Sequence, residues 1–300
     1  MTNNGENWNT YSDYVLTELH YSTTTLEDRK RKLRHLEQHG VTLFPQLNRR
    51  QATDYLSTRR RNGATGGTLN HYIKALNGLL KAQNRKNELF KPYPTHHRPK
   101  RIPTKEEIID LLKYCSRSHR DKRLKAMIYL TAHTGMRVNE LCHLTFEQID
   151  FENNLILLHR KHDKWTRLPV KQEVMQGKQT PSLRNYIEYH REEPKNNTDQ
   201  KYIFINEATR KRVTDANFRV QLKEIATSAG HSWIHPHSLR DFYATWLLEL
   251  NVRVTIIQEL MGHSDLNTTM IYAKEYEHNI RNVMEKLNMD DLLDRGAKKQ

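Results

Sequence analysis

Leu260-Met261-Gly262-His263-Ser264-Asp265-Leu266-Asn267-Thr268-Thr269-Met270-Ile271-Tyr272 is the run on which the fold and the chemistry of this chain turn. His263 follows a glycine and precedes Ser264-Asp265, a favourable N-cap for a short helix bearing Tyr272. A hydrogen-bond donor and a nucleophile thus lie nine residues apart around one turn. Upstream stand Thr134-Gly135-Met136-Arg137-Val138-Asn139-Glu140-Leu141 and Pro236-His237-Ser238-Leu239-Arg240. Together these stretches supply two arginines, two histidines and a tyrosine, the groups needed to break and rejoin a phosphodiester.

Cleavage of DNA by a tyrosine makes three demands. The dianionic transition state needs fixed positive donors, the phenol must lose a proton, and the departing 5′-oxygen must gain one. Arginine suits the first, because its planar fork donates to two phosphate oxygens and stays charged. Arg137 sits at an apparent helix start, where free backbone N–H groups favour an anion, and Glu140 lies three residues on, within reach of its guanidinium. His237 and Arg240 share a helical face at i,i+3, so Arg240 can form a second fork and His237 can relay the tyrosine proton near neutral pH. Phe242, Ala244, Trp246 and Leu247 after them have the character of core packing. Lys161 and Lys164 fall in a polar turn, where a flexible ammonium could protonate the leaving oxygen, and chemistry alone does not choose between them.

The rest of the chain is basic enough to hold DNA. Among 300 residues, 49 Lys and Arg against 35 Asp and Glu leave a formal charge of +14, the footprint of a polyphosphate partner. The polar N-terminus lacks a signal-peptide stretch and nothing approaches a membrane span, so a cytoplasmic, nucleoid-associated or host-cell location is expected. Cys115 and Cys142 are isolated, which argues against a disulfide framework or a cysteine-based zinc site.

Residues 1–7 are expected to be disordered, and residues 8–90 to form a helical DNA-binding domain. Its apolar stripes are Trp8, Tyr11, Tyr14, Val15 and Leu19; then Leu26, Leu33 and Leu36, stopped by Gly40; then Ala52, Tyr55 and Leu56 over 48–61. A last stripe runs from Leu69 through Tyr72, Ile73, Leu76, Leu79 and Leu80, with Thr68 after Gly66-Gly67 as its cap. Basic runs lie between the stripes: Arg29, Lys30, Arg31 and Lys32; Arg49 and Arg50; Arg59, Arg60 and Arg61. Three such runs in a small domain favour a phosphate-tracking surface, to which Lys164 of the later turn adds.

Residues 91–103 are rich in proline and basic residues and read as an extended basic linker. Thr104-Lys105-Glu106-Glu107 is a capping box that opens a second domain over 104–290, followed by a polar tail at 291–300. That domain is mainly α with a small antiparallel β-sheet: Leu155–Leu158 and Thr166–Val170 flank the turn Arg160–Trp165 as a hairpin, and Tyr202–Ile205 is a candidate further strand. Ile280, Val283, Met284 and Leu287 form a late helical stripe, suited either to its own domain or to a neighbouring protomer.

The three boxes resemble those of the tyrosine recombinase (integrase) family. Thr134–Leu141 is similar to T-G-x-R-x-x-E-L, Pro236–Thr245 to P-H-x-L-R-(H/D)-x-x-A-T, and Met261–Tyr272 to L-G-H followed by T-T-x-x-Y, with Met261 in place of leucine. The resemblance covers the second domain; the first matches the family's helical core-binding domain only in size, basicity and helix count. It implies a core-binding domain joined to a DNA breaking–rejoining catalytic domain. Within the latter, Tyr272 attacks the scissile phosphate to form a 3′-phosphotyrosyl link, Arg137 and Arg240 stabilise charge, His263 donates to a non-bridging oxygen and His237 assists proton transfer. Glu140 matches the family's supporting carboxylate. Lys161 would be the general acid, since it precedes Lys164, Arg167 and Pro169 as the family lysine precedes a lysine, an arginine and a proline. One departure is local: the family often flanks that lysine with small residues, and here Arg160 and His162 do so, which keeps Lys164 in competition.

The same resemblance implies no metal or nucleotide cofactor, a specific double-stranded DNA site, and a homo-oligomer on DNA, a tetrameric synapse. No segment ahead of the helical domain is long enough for an arm-type domain, so the layout resembles compact Xer-type enzymes and small viral or plasmid integrases. Three other readings compete. A metal-dependent nuclease would use His231, His235 and His237 with Asp241; a type IB topoisomerase shares the phosphotyrosine chemistry without strand exchange; a decayed recombinase would only bind DNA.

Overall fold

Each apolar stripe of the N-terminal region becomes a helix. The computed structural model describes residues 4–95, 100–115, 118–160, 164–178 and 181–262. It divides into two units, Met1–Arg98 and Pro99–Gln300, described separately below. In the first unit, α1 (Asn4–Thr17), α2 (Thr23–Gln38), α3 (Arg49–Arg61) and α4 (Gly66–Ala82) bury Tyr11, Val15, Leu33, Leu36, Ala52, Leu56, Leu69 and Leu76 in one core. At about 1.5–3 kcal/mol for each large apolar side chain removed from water, these stripes hold the bundle together. Ser22, Asn48 and Thr65 each accept a backbone N–H from three residues on, closing the starts of α2, α3 and α4.

Two details differ from expectation. Residues 4–7, expected to be disordered, form the first turn of α1. The cap of α4 is Thr65 rather than Thr68, and Gly66-Gly67 fall inside the helix. Glycine is costly chiefly in a helix interior, and these two stand in the first turn. Gly66 is also needed: a Cβ on it would stand 2.5 Å from the Pro94 carbonyl. That approach reflects how the segment after α4 is fastened. Asn77 both accepts from the Phe90 N–H (2.8 Å) and donates to the Phe90 carbonyl (2.9 Å), and Asn70 does the same for Tyr93 (2.7 and 2.9 Å). Residues 91–93 are non-helical, as expected of the linker, yet they are tied to their own unit.

The second unit begins with α5 (Lys105–Tyr114), capped by the full Thr104/Glu107 box. It continues through α6 (His119–Thr134), α7 (Val138–Cys142), β1 (Ile149–Asp150), β2 (Leu155–Arg160), β3 (Lys164–Pro169), α8 (Gln172–Gln176), α9 (Leu183–Tyr189), α10 (Asp215–Ser228), α11 (Pro236–Glu249) and α12 (Val254–Met261). The sheet is antiparallel in the order β1-β2-β3, with Ile149 opposite Ile156, Ile156 opposite Leu168 and Arg160 opposite Lys164. The ladder is longer than the hydropathy pattern implied, so Arg160, Lys164 and Trp165 belong to strands rather than to the turn. Tyr202–Ile205 forms no strand: it makes isolated bridges from Tyr202 to Thr145 and from Ile205 to Arg212, while Ile203, Phe204 and Ile205 are buried.

The central helix α6 is buried along most of its length. It lies against α5, α9, α10 and α11 in a core that includes Leu124, Met127, Ile128, Leu183, Phe218, Leu222, Leu239 and Phe242. A smaller cluster of Tyr243, Ala244, Leu248, Ile257 and Met261 fixes α12 to α11. Burial pushes the thiols of Cys115 and Cys142 up to about 12, so both are inert packing residues. Among the described residues no helix is long and apolar enough to cross a membrane.

Candidate active site

Two left-handed glycines make the site possible. Gly135 (φ +62°) ends α6 and turns the chain toward Arg137, the N-cap residue of α7; Gly262 (φ +60°) ends α12. At Gly135 a Cβ would meet the Tyr243 ring and the Met261 sulfur, and at Gly262 it would meet the Arg160 guanidinium. Both turns therefore need glycine for its backbone and for its missing side chain. Gly135→Ala adds left-handed strain of about 1–2 kcal/mol to an overpacking cost of about 1–3 kcal/mol. It should lower Tm by roughly 4–20 °C in a thermal melt. An unchanged melt would contradict the close packing of these two turns.

Arginines from separate parts of the chain converge on the end of α12. Arg137 donates through Nη2 to the Gly262 carbonyl at 2.9 Å, and Arg240 on α11 donates to the carbonyls of Met261 and Gly135. Arg160, at the end of β2, donates to the carbonyls of Glu259 (3.2 Å) and Leu260 (2.8 Å). Four consecutive carbonyls at a helix C-terminus thereby accept from guanidiniums at the negative end of the helix dipole, the Glu259 carbonyl in addition to the Gly262 N–H (3.0 Å). Glu140 binds this cluster from the other side. One carboxylate oxygen accepts from the Arg137 backbone N–H (2.8 Å); the other accepts from Arg137 Nη1 (2.9 Å) and lies 3.6 Å from Arg160 Nε. Three guanidiniums against one carboxylate leave the site electropositive. The Arg137 side chain is 35% exposed and open to a ligand; Arg160 and Arg240 are both buried. Burial, chiefly, holds the Arg160 pKa below its ordinary value, with Glu140 acting in the opposite direction.

His237 lies on the first turn of α11, one turn before Arg240 on the same helix. Desolvation holds its pKa below the ordinary 6.5, against the opposing pull of Asp241. It is therefore neutral near pH 7, the state that can accept a proton. The neighbouring histidines are committed elsewhere. His235 Nδ1 accepts the Ser238 N–H at 3.2 Å as the cap of α11, and His231 lies 3.5 Å from Asp110 and 3.7 Å from Glu107. Among the described residues no three His, Cys, Asp or Glu side chains are grouped so as to hold a metal ion, so the imidazoles on which the nuclease reading rests do not converge.

His35, His133, His190, His235 and His237 all have pKa values lowered by burial. Between the folded and unfolded values the unfolded chain binds more protons, so stability rises with pH there. The contribution is complete above 6.5 and is lost as pH falls through that value toward the folded ones. Carboxylates held low by cationic or hydrogen-bonding partners, such as Asp28 and Asp150, act in the same direction at lower pH. Melts should show Tm falling first between about pH 6.5 and 5, before carboxylates of ordinary pKa titrate; a flat Tm over that range would contradict this.

The basic runs of the first unit differ in availability. Lys30 pairs with Glu27, Arg31 and Lys32 pair with Asp28, and Arg29 lies over the Tyr21 ring at 4.2 Å. On α3, by contrast, Arg49, Arg50, Arg60 and Arg61 are exposed, with Arg59 half-buried beside them. Arg49 covers Phe90 and donates through Nε to the Glu88 carbonyl (3.0 Å), and Arg60 covers Tyr93. Helix α3 is thus the stronger cationic face.

Lys161, His263, Tyr272 and the stripe Ile280, Val283, Met284 and Leu287 lie outside the described residues; Lys164 is described only as the ladder partner of Arg160. In the sequence Arg160 stands out only as the first residue of the hairpin turn and as an unusual neighbour of Lys161. Its signal was the alternation Ile156, Leu158, Arg160, which puts it on the buried face of β2.

Residues 101–279 match the phage integrase family. The chain is 30% identical over 253 residues to tyrosine recombinase XerA of Thermococcus kodakarensis, covering 82% of this chain and 84% of that one. It is 29% identical over 298 residues to tyrosine recombinase XerC of Bacillus pumilus, covering 94% and 95%. In fold it is similar to the Tn1549 transposon integrase solved in complex with transposon right-end DNA (TM-score 0.71, 18% identity, 94% and 99% covered). It is also similar to a lambda integrase dimer bound to a core site (TM-score 0.66, 13% identity, 89% and 94% covered).

Proposed function

The chain belongs to the phage integrase family and is a tyrosine-type site-specific recombinase, and from that membership we propose that it cleaves and rejoins double-stranded DNA through a 3′-phosphotyrosyl intermediate formed by Tyr272. The observation that carries this is the convergence of the three boxes. Arg137 and Glu140 from the first, Arg240 from the second and the backbone of residues 261–262 from the third meet at one hydrogen-bonded centre.

In the proposed reaction the Tyr272 phenolic oxygen attacks the scissile phosphorus and the bond to the 5′-oxygen breaks. Arg137 and Arg240 fork onto non-bridging oxygens where charge develops, and Glu140 keeps the Arg137 fork in plane. His263, next after the Gly262 whose carbonyl Arg137 holds, donates to the same phosphate. Neutral His237 assists removal of the phenol proton, and Lys161 returns a proton to the departing 5′-oxygen. The bond energy stays in the phosphotyrosine, so a 5′-hydroxyl from a partner strand reverses the step without metal or nucleotide. Exposed arginines of α3 track the backbone, and strand exchange takes place between protomers assembled on paired sites, a tetramer at full occupancy.

The test uses a plasmid carrying two copies of a site selected by binding from a random duplex pool, incubated with the protein in EDTA. Recombinant junctions are expected. Relaxation without junctions would identify a topoisomerase, and cleavage restored only by added metal would identify a nuclease.

A further inference from the structure

The cross-link made by Arg160 has no part in the chemistry proposed above, and it is an expensive one to build. A buried guanidinium is costly unless each face finds a partner, and a third apolar residue after Ile156 and Leu158 would continue the buried face of β2 without that cost. Instead the side chain leaves the strand end and reaches under the turn closing α12. There its two terminal nitrogens engage the carbonyls of Glu259 and Leu260, while Nε lies 3.6 Å from the Glu140 carboxylate that also holds Arg137. Gly262 makes room for it, since a Cβ there would collide with the guanidinium. The cross-link therefore joins the end of β2, the first box and the turn ahead of His263. The residue after Arg160 in the sequence is Lys161.

We propose that Arg160 is a positioning residue: by anchoring the end of β2 to α12 and Glu140, it supports proton delivery by Lys161, the next residue in the sequence. Lys161 delivers its proton to the 5′-oxygen as the P–O bond breaks. The proposal rests on the assignment of Lys161 as general acid. Lys164, the ladder partner of Arg160 across the hairpin, is not the residue joined directly to the anchor.

Two nicked suicide duplexes separate this role from a structural one. The first carries the ordinary phosphodiester; in the second, sulfur replaces the bridging 5′-oxygen, giving a thiolate that departs without a proton. Wild type should form an adduct on both, and absence of adduct on both would remove the phosphotyrosyl reading itself. Arg160→Gln should bind duplex within about threefold of wild type. It should cleave the oxygen substrate about 100-fold more slowly, the scale of a lost general acid, and regain at least about tenfold on the sulfur substrate, matching Lys161→Ala. Arg160→Lys, which keeps a buried cation but not the fork, should show the same selective rescue. Equal losses on both substrates, an unaltered rate on the oxygen substrate, or loss of duplex binding by both variants would overturn the proposal.

Discussion

Tyr272→Phe should bind duplex as tightly as wild type and lose strand cleavage by more than about 10⁴-fold, the scale on which removal of a nucleophile acts. The substitution deletes one oxygen and keeps the ring, so any packing role of the tyrosine survives. DNA affinity is carried by phosphate contacts from lysines and arginines, which the change leaves alone. Gel-shift titration and recombination on the two-site plasmid read the two quantities separately. Affinity unchanged with recombination abolished is the expected pattern; residual recombination within tenfold of wild type would mean that another group attacks the phosphate.

Arg240→Met should be the most damaging substitution among the described residues, because it acts on stability and on cleavage together. Arg240 is 3% exposed and its guanidinium bridges the carbonyls of Gly135 and Met261, tying the turn after α6 to the end of α12. Methionine fills the space but leaves those buried acceptors without this donor, at about 1–3 kcal/mol each. Losing a phosphate clamp should cost a further 10²–10³ in cleavage rate, roughly the effect of removing one preorganised donor. Arg240→Lys should rescue little, since a point charge cannot span two carbonyls and a phosphate as a planar fork does. Tm and the rate of adduct formation at saturating duplex check both parts. Wild-type cleavage by a folded Arg240→Met protein would remove Arg240 from the site.

Much of this architecture was legible in local pattern. The stripes of the first unit, the Thr104/Glu107 box and the β2–β3 hairpin follow from periodicity and capping, which are properties of neighbouring residues. What escaped depends on distant partners. Thr65 and Thr68 are equivalent as caps in sequence; the choice between them goes with Gly66, placed under the Pro94 carbonyl. Tyr202–Ile205 has the composition of a strand but finds only single-residue bridges, so burial rather than a ladder explains its apolar run. The three boxes identified Arg137, Glu140, His237 and Arg240 as a group. The meeting of Arg137, Glu140 and Arg240 at the end of α12, and the part of Arg160 in it, required the fold, because most of the contacts span about 100 residues or more.

The most direct test of the account is to trap the intermediate and locate it. Wild-type protein would be incubated in EDTA with a nicked suicide duplex bearing its selected site, the denatured complex digested, and the DNA-linked peptide sequenced by mass spectrometry. The account predicts an adduct through the 3′-phosphate on the peptide containing Tyr272. An adduct on any other residue, or none on a duplex shown to be bound, would contradict it.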